Sequence, residues 1–224
     1  MRSKGTATER STTIGGIAAI TGALLAIAGN AVVLAAHPNA PAHVVSYPLS
    51  PHDFRLGQVF FAFTQALMAL GIVALVGSGI AGPGRRARVG ARLAVAGFLL
   101  TIPGELVLAL VADAATDSGR ASAASSVFGL GVLLADLGLI LFGISALRAG
   151  TWPRSWAALP LALGTFQLLV VTPVALGAGF ASVAAFLVIT AQDLLVALLG
   201  WQLVRHHPDR RRVPATSSGR ATLA

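Results

Sequence analysis

Six long apolar stretches set the terms for this chain: about Thr12–Ala36, Gly57–Ile80, Arg92–Val111, Ala121–Leu147, Ser155–Leu176 and Phe180–Val204. Each has about the 20 residues that an α-helix needs to cross the hydrocarbon core of a bilayer. None shows the apolar/polar alternation over about ten residues that marks a membrane β-strand. Lipid offers no hydrogen-bond partners, so the backbone of each stretch must satisfy itself, which a helix does. The expected fold is all-α: a polytopic integral membrane protein, with a bundle of six transmembrane helices in one domain over residues 12–204. Residues 1–11 read as a disordered N-terminus and residues 205–224 as a disordered basic tail. Composition agrees, with 11% of residues charged and 55% hydrophobic, where a soluble domain carries about 25% charged. The first stretch exceeds the roughly 7–15 apolar residues of a signal-peptide core, so it reads as an uncleaved first helix.

The formal net charge is +8, and the placement of that charge points to membrane orientation and away from nucleic acid. Arg2, Lys4, Arg10, Arg85, Arg86, Arg88, Arg92, Arg148, Arg154, Arg205, Arg210, Arg211, Arg212 and Arg220 all fall on one side of an alternating six-span topology. Only Arg55 and Arg120 fall on the other. By the bias of Lys and Arg toward cytoplasmic segments, both termini are expected in the cytoplasm, with the chain in a cell membrane. With no cysteine, disulfides, thiolate metal sites and cysteine nucleophiles are excluded.

Between the stretches, Ser50-Pro51-His52-Asp53 has the form of a helix start: a serine N-cap, proline at the first helical position and an acid in the first turn. Gly177-Ala178-Gly179 reads as a tight turn. Gly71-Ile72-x-Ala74-Leu75 recurs as Gly143-Ile144-x-Ala146-Leu147, the kind of echo left by duplicated helical hairpins or by chance in a Gly/Ala/Leu-rich text.

Every stretch carries a polar residue at or beyond its midpoint on the outer side: Asn30, Gln65, Glu105, Asp136, Gln167 with Thr172, and Asp193. A carboxylate at the bilayer centre costs roughly 2.5–3.5 kcal/mol on insertion scales, so it faces the protein interior, finds a partner or performs chemistry. No Arg, Lys or His lies in the middle of any stretch to neutralise one. One or more of Glu105, Asp136 and Asp193 is therefore expected to be neutral, and two of them to share a proton if they are close. Together these residues describe an outward-opening, carboxylate-lined cavity near the midplane. Pro103 and Pro173 beside it would free backbone carbonyls. Small residues near the aspartates (Gly129, Gly143, Ala197, Gly200) allow close helix approach or leave room for a ligand, and Gly129/Gly131 or Gly177/Gly179 suit a homo-oligomer.

The first outer loop holds His37, His43 and His52 next to Asp53, the donor types that transition metals favour, at a spacing that matches no metal motif. No phosphate loop, nucleophile elbow or dinucleotide fingerprint is present, and no cofactor is expected. The reading that follows is a membrane protein that binds or transports a small hydrophobic or cationic molecule, with proton linkage, in contact with membrane lipid. An intramembrane acid/base enzyme acting on a lipid or isoprenoid would use Glu105, Asp136 or Asp193 as catalytic acid. A non-catalytic membrane subunit would use the same carboxyls only to hold helices together.

Overall fold

The structure, a computed structural model, describes residues 3–205, with side chains from residue 10 onward. Its helices are α1 (Ser3–Ala35), α2 (Pro51–Gly77), α3 (Arg85–Ala109), α4 (Gly119–Ala149), α5 (Arg154–Ala157), α6 (Leu159–Phe166), α7 (Thr172–Ala178) and α8 (Val183–Arg205). A π-helical turn, Gln167–Val171, joins α6 to α7. α5 to α7 form one composite span, so six segments are long and apolar enough to cross a membrane. The described residues contain no β-strand, only one isolated bridge between Val44 and Ala115.

Three boundaries differ from the sequence-based expectation: α3 begins at Arg85, before its apolar stretch, α7 runs through Gly177 and Ala178 and leaves the turn to Gly179, and the start of α1 moves most. α1 begins at Ser3, so helix occupies residues 3–11 where a disordered start was expected. That segment contains no proline, and the apolar helix beyond it supplies the nucleus from which helix propagates backward at little cost. The basic tail, residues 206–224, lies outside the described residues.

α2 starts as its sequence dictates. The Ser50 side chain accepts a hydrogen bond from the Asp53 backbone N–H at 3.1 Å, and Pro51 occupies the first turn. α4 is capped in the same way by Ser118, which accepts from Ala121 N–H, and it ends at Gly150 in the left-handed region (φ 62°). Each span packs on its neighbour in the chain, and α8 closes the ring by packing along α1.

The most extensive contact is between α3 and α4, and its cause is visible residue by residue. α3 buries Gly90, Ala94, Gly97, Thr101 and Gly104, and α4 buries Gly131, Ala135, Gly138 and Phe142. Both rows advance by alternate steps of three and four residues, the spacing that keeps one stripe facing a partner along a left-handed crossing. Without side chains in the way, the backbones approach closely. A Cβ on Gly97 would lie 2.7 Å from the Gly131 carbonyl oxygen, and one on Gly90 would lie 2.6 Å from the Phe142 nitrogen. In a bilayer, where apolar surface gains little by leaving lipid, such contact is what holds helices together. α1 meets α8 by the same device, with Gly16 against the Gly200 carbonyl and Gly200 against the Gly16 carbonyl, each at 2.6 Å from a built Cβ.

These placements answer the small-residue expectations. Gly143 and Gly200 serve close helix approach, against Leu161 and Gly16 respectively. Gly131 is buried against α3 within the same chain, so it is not free to face a second copy, whereas Gly129, Gly177 and Gly179 have nothing within 4 Å. The echoed glycines differ in partner: Gly71 packs on Ala19 of the preceding span and Gly143 on Leu161 of the following one. The echo thus does not extend to helix packing.

The loops join at both ends. Outside α2 and α3, Val45 N–H donates to Ala114 O, Ser46 N–H to Ala112 O, and Thr116 N–H to His43 O. Arg55 and Asp113 face each other there at 3.6 Å. At the opposite end, the Thr151 hydroxyl donates to the Ile80 carbonyl at 2.7 Å, tying the α2–α3 turn to the α4–α5 turn.

Candidate functional site

The three carboxyls singled out in the sequence are all buried, with relative exposures of 7% for Glu105, 3% for Asp136 and 6% for Asp193. Their positions differ. α3 ends at Ala109, one turn beyond Glu105, which places this residue near the C-terminal end of its helix. The α3–α4 seam sets its distance from Asp136. Gly97 lies against Ala135 and Gly104 against Phe128, so Glu105 is level with the N-terminal half of α4. From there to Asp136 is about 13 Å along the helix axis, at about 1.5 Å per residue. A proton shared between Glu105 and Asp136 is therefore not what this geometry supports.

Asp136 and Asp193 stand at one depth. On α4, the Asp136 carbonyl lies 2.5 Å from where a Cβ of Gly164 would sit, so α6 presses directly on this turn because residue 164 is glycine. On α8, Gln192 Nε2 donates to the carbonyl of Leu163, the residue before Gly164, at 3.4 Å. The two aspartates thus flank the same turn of the fifth span.

Immediately beyond that turn the fifth span leaves α-helical geometry. The Thr172 N–H donates to the Gln167 carbonyl, a five-residue reach in place of four. Pro173 has no N–H to offer and its ring crowds the carbonyl four residues earlier. A widened turn just before it accommodates both defects, and such π-turns concentrate at functional sites. Gln167 opens the turn and Thr172 follows it, both half-buried.

The polar atoms here are mostly acceptors without donors. Asp136 Oδ2, Thr190 Oγ1, Gln192 Oε1 and Asp193 Oδ2 are all buried with no hydrogen-bond partner. Three of the four come from a single turn of α8. Buried polar atoms are nearly always paired, so an unpaired group calls for an explanation. Unpaired oxygens at one level on either side of the fifth span, with no cationic side chain in the middle of any span, suit protons, a cation or a ligand that donates hydrogen bonds. The adjacent Gln192-Asp193 in an apolar stretch was the available signal for Gln192, which the sequence reading passed over. The π-turn left only Pro173 as a sign.

The remaining sequence candidates lie elsewhere. Asn30 and Gln65 are half-buried on the α1–α2 side, where Gly29 packs on the Phe60 and Phe61 rings. No hydrogen bond among the described residues joins either of them to the aspartates. His37, His43, His52 and Asp53 are all exposed. Asp53 is occupied in the α2 cap, its Oδ2 accepting from the Ser50 hydroxyl at 2.7 Å. Among the described residues no group of three or more His, Cys, Asp or Glu is arranged to hold a metal ion. No protein family model, curated protein or solved structure matches this chain.

Proposed function

We propose that this multi-pass membrane protein binds and transports a small cationic molecule with an apolar body, exchanging it for protons at Asp136 and Asp193. In this reading the termini are cytoplasmic and the ligand reaches the site from the outer half of the bundle. One observation carries the reading: four buried oxygens at one depth, on α4 and α8, lack hydrogen-bond partners beside an irregular turn of the fifth span. A cation supplies the positive charge or donors that the helices do not. When it leaves, protonation removes the cost of unpaired charge at mid-depth. In this reading Glu105, buried near the C-terminal end of α3, meets the ligand on the way in, with Gln167 and Thr172 along the same route.

The test uses purified protein in proteoliposomes with an imposed pH gradient, a panel of hydrophobic cations beginning with tetraphenylphosphonium and ethidium, and a trapped pH dye. Cation flux coupled to dye-reported proton flux is expected in wild type. Loss of at least tenfold is expected in Asp136→Asn and Asp193→Asn, with folded yield retained. Flux in both variants equal to wild type would refute the assignment. A chemically altered lipid product formed without a gradient would move the acids to catalysis. Asn variants that lose stability and nothing else would leave them as interhelical contacts.

A further inference from the structure

α3 carries a second feature, unrelated to the carboxyls. Arg85, Arg88 and Arg92 fall three and four residues apart, on one face of the helix. The same face continues outward as Ala96, Leu99, Pro103, Leu106 and Leu110, and all eight residues are exposed. The stripe thus runs from arginine to hydrocarbon without a polar intermediate. Orientation by loop charge needs arginines in turns only. Arg92 instead lies two turns inside the helix, about 10 Å from its first residue.

Beside Arg92 a groove of about 340 Å³ opens between α2 and α3, lined by Val76, Ala91, Arg92, Val95, Ala96 and Leu99. Its walls are apolar almost throughout, Arg92 lining it by the carbon stem of its side chain. The arginines have no protein partner among the described residues: the one ion pair there is Arg55–Asp113, at the other end of the bundle. Among residues with described side chains, every carboxyl (Asp53, Glu105, Asp113, Asp117, Asp136 and Asp193) lies at mid-depth or toward that other end.

From the groove and its unpaired arginines we infer that α2 and α3 hold one anionic phospholipid of the leaflet at the arginine-rich end. The phosphate sits on Arg88 and Arg92, and one acyl chain lies along Val76, Val95, Ala96 and Leu99. Charge complementarity selects this occupant: along one exposed face α3 offers arginines and then, beside the groove, hydrocarbon, in the order that a phospholipid presents. Arginine forks match phosphate oxygens two at a time, and basic pockets between spanning helices are established binding places for anionic headgroups.

The inference is tested by titrating delipidated, detergent-solubilised protein with phosphatidylglycerol or phosphatidylcholine of identical acyl chains, counting bound lipids by native mass spectrometry. Wild type is expected to take one phosphatidylglycerol saturably and at least tenfold more tightly than phosphatidylcholine. Arg88→Gln/Arg92→Gln should weaken that binding about twenty-five-fold, at about fivefold per arginine near the surface. Arg148→Gln/Arg154→Gln removes equal charge from the neighbouring turn and should change it less than about twofold. Ala96→Phe, which fills the groove at an exposed position, should weaken both lipids. Equal affinity for the two lipids, or equal losses in the two double variants, would overturn the inference. All these substitutions are at exposed positions, and retained elution volume and helicity confirm that each variant is folded.

Discussion

Gly138 and Gly129 lie on the same helix and allow a sharp test of the α3–α4 seam. A Cβ on Gly138 would meet the Ala94 nitrogen, and would lie 2.6 Å from Ala94 Cα and 2.7 Å from the Leu93 carbonyl carbon. These are backbone atoms, which cannot swing aside as a side chain can. Ordinary contact begins near 3.4 Å, so Gly138→Ala must push α3 and α4 apart by at least about 0.8 Å, the gap that Ala94 Cα alone requires. Overpacking of this kind costs about 1–3 kcal/mol, while the helix propensity of alanine returns about 0.8–1.0 kcal/mol. The net expectation is a loss of up to about 2 kcal/mol, and of about 1–3 kcal/mol relative to a site that gains the propensity alone. Gly129 has nothing within 4 Å, so Gly129→Ala gains the propensity alone and should be neutral or stabilising by up to about 1 kcal/mol. The assay is reversible unfolding in mixed micelles of increasing SDS content, followed by fluorescence of Trp152, Trp156 and Trp201. If Gly138→Ala proves as stable as Gly129→Ala, the seam does not form as described.

Two further substitutions probe local contacts. Ser50→Ala removes the α2 cap and should cost about 1 kcal/mol in the same assay, with Ser50→Asp restoring most of it. Gln192→Leu gives up a 3.4 Å bond to Leu163 O but also removes the unpartnered buried Oε1. Stability should therefore hold or rise by up to about 1 kcal/mol. Cation binding by the same variant, read by equilibrium dialysis, should fall by at least threefold if the unpaired oxygens form the site.

The six spans and the α2 start were legible because they depend on local facts: run length, a serine followed by proline, an acid three residues on. Asp136 and Asp193 stood out because a charge in an apolar run is visible without knowing its neighbours. Glu105 stands out in the same way, while its distance from Asp136 emerges only from the α3–α4 contacts that set the two helices in register. The α3–α4 seam was present in the sequence as glycines, alanines and a threonine at alternating steps, yet the spacing has meaning only beside the matching row on α4. Gly129 and Gly131 look alike in a linear reading. The partner helix separates them, covering Gly131 and leaving Gly129 open. Pairing of the α1–α2 and α3–α4 loops through His43–Ser46 and Ala112–Thr116 is a contact between distant segments, and no local pattern announces it.

The π-turn at Gln167–Val171 means that the fifth span holds one amino acid more than its length requires. Leu163, Val171 and Ala175 are all buried, yet Leu163 and Val171 would point about 80° apart in an unbroken helix at about 3.6 residues per turn. Absorbing one residue brings them onto a single line. The two halves of this span are thus phased as in a shorter helix, with the surplus spent on the bulge. Deleting Leu169, whose side chain is 66% exposed, should leave both halves in register with α4 and α8, and with Pro173→Ala beside it, so that no ring crowds the restored turn, the protein should still purify as a folded species. The same deletion in α4, between Gly131 and Gly138, would turn half of the seam away by about 100°. Tolerance of a lost residue, uncommon within a membrane-spanning helix, should therefore be confined to this one turn.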